Sequence, residues 1–185
     1  MKLRDAANQM LLALQNDEDE EKFRSCINAF VSAARSTTMV MERECDHVGM
    51  TDWYKSTIAT VGKSPMFKFF NEQRVYSIHK GVIQPDKTQH KVSSVKFLNA
   101  QSTDKKKRLS VTATIHAETL TIQARDITKF ADSGNIWAWR FTGVEKHLPG
   151  DSGNVLRLCE DYYSILKWLI EEAIRERHRR GFTAS

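Results

Sequence analysis

Apolar positions recur at spacings of three and four over the first 80 residues, which is the pattern of amphipathic helices. An acidic run at residues 17–21 precedes the longest of these patterns, and carboxylates at that point favour the helix dipole. We therefore expect a long helix over about 17–45, after a shorter one over about 3–15. The inward positions of the long helix are Phe23, Ile27, Phe30, Ala34, Thr37 and Met41.

Local start and stop signals predict three more helices. Thr51-Asp52 is a possible cap for a helix over about 51–61. Ser64-Pro65 places serine at the N-cap and proline at the first helical position of a helix over about 65–80. The last helix is expected over about 155–180, with Gly181 as its C′ residue.

The period of the pattern changes to two between about residues 90 and 142. Three or four antiparallel strands are expected there, and the row Trp137, Trp139 and Phe141 is expected to be a packed face of the sheet. The fold class is therefore α+β and mainly helical: one domain over 1–185, a helical bundle with a small antiparallel sheet inserted before the last helix.

Composition narrows the class of protein. The chain is 41% hydrophobic, which is enough for a core, and no window approaches 18 consecutive apolar residues. Its first residues carry charge too early for a secretory signal, so we expect a soluble, cytoplasmic protein without membrane contact. The net charge of +5 permits a polyanionic partner, and the basic cluster Lys105, Lys106, Lys107 and Arg108 is either a solvated turn or a nucleic-acid contact.

Cysteine, metal and nucleotide patterns exclude several classes of site. Cys26, Cys45 and Cys159 form no CxxC arrangement, so we expect buried free thiols. Cys45-Asp46-His47 offers only two metal ligands. Gly62-Lys63-Ser64 lacks the earlier glycine of a phosphate-binding loop, because Thr57 occupies that position. We expect neither a metal nor a cofactor.

One pair of residues suggests chemistry: Arg74 and His79, separated by four residues at the end of the fourth predicted helix. At about 100° per residue, Arg74 falls on one stripe with Phe67, Phe70 and Ile78. A guanidinium in an apolar face must be paired, line a cleft or face a partner chain. Either Arg74 is a paired core arginine and His79 a favourable cation at the helix end, or the two form a site. A looser pair, Arg140 and His147, crosses a strand end and is a weaker candidate.

The residues carrying this pair resemble the HEPN family (higher eukaryotes and prokaryotes nucleotide-binding). The resemblance rests on EKFRSCINAF at 21–30 and FFNEQRVYSIH at 69–79, covers roughly 17–81, and adds the last helix by position. It implies a helical bundle with an Arg-x(4–6)-His motif, a homodimer whose motifs share one cleft, and metal-independent ribonuclease activity in toxin or antiphage systems. By resemblance, Arg74 and His79 are catalytic.

The resemblance implies an RNA substrate cut by attack of a 2′-hydroxyl on the adjacent phosphate, with an antitoxin or regulatory protein as a further partner. His79 is then the general acid or base, and Arg74 binds the phosphate. Asn71 and Glu72 are candidate supporting residues, and Lys68 and Lys80 candidate phosphate contacts, as is the basic cluster.

Two features depart from the family pattern: Val75 stands where a polar residue often follows the arginine, and the inserted sheet is unusual. A non-catalytic HEPN-like module that binds RNA, a nucleotide or a protein is therefore the alternative, and a purely structural interaction protein is a third possibility.

Overall fold

A computed structural model describes residues 2–91, 110–115, 118–123 and 135–182 of the chain. Within these ranges the fold is mainly helical with short antiparallel strands, which confirms the α+β class. The helices are α1 (Lys2–Gln15), α2 (Glu20–His47), α3 (Thr51–Val61), α4 (Pro65–His79) and α5 (Val155–Arg179). The strands are β1 (Asp86–Lys91), β2 (Ser110–Ile115), β3 (Glu118–Gln123) and β4 (Asn135–Arg140).

Capping residues decide where the helices begin and end. Helix α2 begins at Glu20 rather than at residue 17, because the Asp19 side chain accepts a hydrogen bond from the Lys22 backbone N–H at 3.1 Å. The expected cap at Thr51-Asp52 is wrong: Thr51 is already helical, and its hydroxyl donates to Asp46 Oδ1 at 2.7 Å. Gly181 follows α5 with φ of 80°, a backbone conformation that favours glycine.

Aromatic side chains from α2, α4 and α5 form the centre of the core. Phe70 of α4 stacks on Tyr162 of α5 with ring centroids 4.3 Å apart. Phe30 of α2 meets Phe70 edge-on at 6.1 Å. Burial raises the pKa of Tyr162 to about 12, because the phenolate form is disfavoured away from water. These contacts fix the first half of α4 between two long helices.

Four antiparallel strands are present in the described residues, within the expected number. They form two pairs there, β1 with β4 and β2 with β3, rather than one sheet. Strand β1 also begins at Asp86, earlier than the sequence pattern indicated, and pairs Asp86 with Arg140. The side chains of Trp139 and Phe141 are buried, as expected for a packed face. The side chain of Trp137, the other member of that row, lies outside the described residues.

Trp139 attaches the β1–β4 pair to the helices. Its ring stacks on Phe23 of α2 at 4.4 Å, and its indole N–H donates to the Asp17 carbonyl at 2.9 Å. The cations of Arg24 and Lys87 lie 5.9 and 5.4 Å from the centre of the ring. The pair is therefore held against the α1–α2 turn by stacking, a hydrogen bond and two cation–π contacts.

The three cysteines are free thiols. Cys45 and Cys159 are buried free thiols, as expected, and burial raises the pKa of each; Cys26 is free but only partly buried. Among the described residues, no three His, Cys, Asp or Glu side chains come together as metal ligands. No helix in the described part of the chain combines the length and apolar character that a membrane span requires.

Candidate functional site on helix α4

Helix α4 leaves the core after Phe70. Phe67, Phe69 and Phe70 are buried, whereas most side chains of the next two turns are exposed. Ile78 is 57% exposed, so the expectation that it continues the apolar stripe of Phe67 and Phe70 is wrong. The stripe ends early because the neighbours of α4, helices α2 and α5, cover only its first half.

The chain returns to the body of the protein just after this exposed stretch. The Asn28 side chain accepts from the Ile83 backbone N–H at 2.8 Å and donates to the Ile83 carbonyl at 3.0 Å. The Arg24 guanidinium donates to the Pro85 carbonyl at 3.3 Å. Residues 71–82 therefore form an exposed segment that is anchored at both ends.

Arg74 lies at the edge of the exposed side of α4 and is partly buried. Its carbonyl accepts a hydrogen bond from the Ser77 hydroxyl at 2.8 Å. Its guanidinium makes no hydrogen bond or ion pair with any residue that the structure describes. Within the described residues, Arg74 is therefore not the paired core arginine that the sequence left as one alternative. Its charge is available to a ligand or a second chain.

His79 is the last residue of α4 and is exposed. At about 100° per residue it points roughly 140° away from Arg74. Lys68, Glu72 and Val75 fall within about 40° of His79 on the same wheel, and we call these four residues the α4 face. Asn71 and Ile78 lie between Arg74 and this face, and Lys80 lies on its far side.

Glu72 does not stand free on the α4 face. Lys146 donates to Glu72 Oε1 at 2.6 Å, and His147 Nε2 bonds to the other carboxylate oxygen. These two hydrogen bonds, that of Lys146 first, hold the pKa of Glu72 below its ordinary value. Glu72 thus braces α4 against the 3₁₀ turn Val144–Lys146, where sequence reasoning expected only a supporting role.

Sequence reasoning did not place Lys146 or His147 beside Glu72. His147 is mostly buried and meets Phe69 edge-on at 6.3 Å, so it is fixed from both sides. Its one sequence signal was the loose spacing from Arg140, but Arg140 instead donates to the Ser152 carbonyl. The structure therefore joins His147 to Glu72 rather than to Arg140.

The structure brings only part of the predicted set together. Lys68, Glu72 and His79 share one face, with Asn71 beside it, while Arg74 and Lys80 flank it on opposite sides. The predicted RNA contacts Lys105, Lys106, Lys107 and Arg108 lie outside the described residues.

Comparisons with known proteins assign neither a family nor a function to the chain. No family model, curated protein or solved structure matches the chain. The function must therefore be inferred from the chemistry of the α4 residues and from the sequence resemblance described above.

Proposed function

We propose that this protein is a metal-independent RNA endonuclease of the HEPN type that acts as a homodimer in a toxin or antiphage defence system. The observation that carries the proposal is the end of α4. There, an arginine without a partner among the described residues and an exposed histidine border an exposed apolar strip of Val75 and Ile78. Arginine and histidine are the residue types that RNA transesterification needs.

The proposed reaction uses the ribose hydroxyl as the nucleophile. The 2′-oxygen bonds to the adjacent phosphorus as the bond from phosphorus to the 5′-oxygen breaks. A base takes the proton of the 2′-hydroxyl, and an acid gives a proton to the leaving 5′-oxygen. The products are a 2′,3′-cyclic phosphate and a 5′-hydroxyl. His79 serves in proton transfer, a role typically worth about 10²–10⁴-fold.

Arg74 stabilises the charge that develops on the phosphate oxygens. Its planar guanidinium offers two parallel donors to a phosphate, which lysine does not. Lys68 lies on the α4 face, Lys146 is held beside it by Glu72, and Lys80 follows the helix. In the proposal these lysines contact neighbouring phosphates and position the strand.

The proposed homodimer is supported by the directions of the Arg74 and His79 side chains. Within one chain, Arg74 and His79 point roughly 140° apart with Val75 and Ile78 between them. A two-fold axis through this strip covers the apolar side chains and faces the arginine of each copy toward the histidine of the other. Each of the two clefts then draws on both chains.

The first experiment measures cleavage of labelled RNA in EDTA by the wild type, Arg74→Ala and His79→Ala, with analysis of the new ends. We expect cyclic phosphate ends from the wild type and at least about a 100-fold loss in both variants. Arg43→Ala and His47→Ala are matched controls, because both residues are exposed on α2, and they should keep full activity. Cleavage that survives both α4 substitutions would assign the site elsewhere.

A mixing experiment tests the shared cleft. An equal mixture of Arg74→Ala and His79→Ala chains gives one heterodimer for every homodimer, and each heterodimer holds one intact cleft of two. We expect recovery of about a quarter of the wild-type activity after the chains exchange. No recovery, from chains that demonstrably exchange, would mean that each active site uses the arginine and histidine of a single chain.

The alternative function, a non-catalytic HEPN-like module, is favoured by the same divergence of Arg74 and His79 and by Val75 directly after the arginine. In that case the wild type binds RNA without cutting it, Arg74→Ala weakens binding, and His79→Ala leaves it unchanged. Fluorescence anisotropy with a 2′-O-methyl oligonucleotide separates the two functions, because that ligand can be bound but not cleaved.

A further inference from the structure

A cavity of about 270 Å³ lies where α1 meets the second halves of α2 and α5. None of its lining residues belongs to α4, so it is separate from the candidate nuclease site. Any ligand of this cavity is therefore independent of the proposed function.

The cavity has a buried floor and an open apolar mouth. Met41, Cys45 and Met50 form the floor and are at most 7% exposed. Val40 and Ile174 border the mouth and are 43% and 52% exposed. A cavity that is lined mainly by apolar side chains and opens to solvent through apolar residues favours a ligand with a hydrocarbon part.

The volume sets the size of that hydrocarbon part. An apolar protein cavity of about 150 Å³ is known to bind benzene, which has six carbon atoms. By proportion, this cavity of about 270 Å³ holds roughly ten carbon atoms.

Three charged side chains line the cavity, and their surroundings differ. Lys2 is an ion-pair partner of Asp5 at 3.6 Å, and Glu44 is exposed. Arg177 is partly buried in the α5 wall and is the charged lining group least exposed to water. A guanidinium in that position favours a carboxylate, because it carries a permanent positive charge and can donate charge-assisted hydrogen bonds to more than one partner.

We infer that this cavity binds an unbranched monocarboxylate of about ten carbons, with the hydrocarbon chain against Met41, Cys45 and Met50 and the carboxylate at Arg177. The ligand class is that of medium-chain fatty acids. In a longer ligand, the methyl end reaches the apolar mouth between Val40 and Ile174.

Calorimetric titration of the full chain with hexanoate, octanoate, decanoate, dodecanoate and tetradecanoate tests the inference. Each buried methylene should strengthen binding about fourfold, and this gain should end near ten to twelve carbons, where the cavity is full. Decanoate should bind more tightly than decanol. The inference is overturned by the absence of saturable decanoate binding, or by an affinity that keeps rising at the same rate to fourteen carbons.

Two variants locate the ligand. Ala173→Phe places a ring in the cavity and should weaken decanoate binding at least tenfold. Ala59→Phe, at an exposed position of α3, is the matched control. Arg177→Met keeps the apolar stem and removes the charge, so decanoate should weaken about tenfold and decanol should not change. Circular dichroism checks the fold of each variant. If Ala173→Phe does not fold, the comparison of acid with alcohol in Arg177→Met still decides. A decanoate affinity that is the same in Arg177→Met as in the wild type would mean that the carboxylate does not lie at Arg177.

Discussion

The two halves of helix α4 differ in what surrounds them. In the first half, Phe67, Phe69 and Phe70 are buried among aromatic rings of α2 and α5. In the second half, Val75, Tyr76 and Ile78 are all more than 40% exposed. The same helix therefore serves as a core element at one end and as a surface at the other.

This difference separates residues that stabilise the fold from exposed residues that can contact a ligand. The buried half fixes the axis of α4, and the Glu72 bridge and the Asn28 clamp hold the exposed half on that axis. Arg74 and His79 are thus presented on a supported helix rather than on a loop. Supported elements position functional groups more accurately than loops do.

The largest expected effect comes from the buried half. Phe70→Ala removes the stack on Tyr162 and leaves a cavity among three other rings, so we expect a loss of about 3–5 kcal/mol in the free energy of unfolding. Tyr76→Ala is the matched aromatic substitution in the exposed half and should change stability by less than about 0.5 kcal/mol. Urea denaturation measures both, and similar losses in the two variants would remove the distinction between the halves.

The next effect concerns the clamp that ends the exposed segment. Asn28→Ala leaves both the N–H and the carbonyl of the buried Ile83 without their partner, at an expected cost of about 1–3 kcal/mol. Asn71→Ala, on the exposed side of α4, should cost less than about 0.5 kcal/mol. Hydrogen exchange at Ile83 should also become faster in Asn28→Ala, and unchanged protection there would contradict the clamp.

Much of the helical fold was predictable because each long helix carries its own periodicity. The inward positions Phe23, Ile27 and Phe30 were visible in the sequence and are buried. Local capping refined the boundaries: Asp19 moves the start of α2, and Gly181 follows α5 as expected. Strand pairing was less predictable, because β1 and β4 are about 50 residues apart and pair through non-local hydrogen bonds.

The site was predictable only in part, because periodicity identifies an apolar stripe but not where its neighbours end. Ile78 has the spacing of a core residue, yet α2 and α5 do not reach it. The bond between Glu72 and His147 joins residues 75 positions apart, and no local pattern connects them. The pairing of a charge with a distant partner is a property of the fold, not of the segment.

A smaller effect is expected from the bridge that joins Glu72 to Lys146 and His147. Glu72→Gln weakens the contacts with Lys146 and His147, and because Glu72 is largely exposed we expect only about 0.2–1 kcal/mol at neutral pH. Since folding lowers the pKa of Glu72, this stability is present above the unfolded pKa of about 4.3 and is lost as pH falls through the folded pKa.

Urea denaturation at several pH values measures that dependence. The difference between wild type and Glu72→Gln should be present at about pH 5 and should vanish by about pH 2, where the Glu72 carboxyl is protonated. Glu145→Gln, on the neighbouring exposed turn, should show no difference at any pH. A difference that persists undiminished at about pH 2 would contradict the proposed stabilising bridge.

The smallest effect on the single chain is expected at the apolar strip, and it separates a free surface from a dimer interface. Ile78→Ser should change the stability of the monomer by less than about 0.5 kcal/mol, because the side chain is mostly exposed. If a second copy covers the strip, the melting temperature of the wild type rises with protein concentration, and Ile78→Ser removes that dependence. Met39→Ser, at a similarly exposed apolar residue of α2, should keep it. A wild-type melting temperature that stays constant from micromolar to millimolar chain concentration would mean that no second copy covers the exposed half of α4. The proposed shared cleft would then be wrong as well.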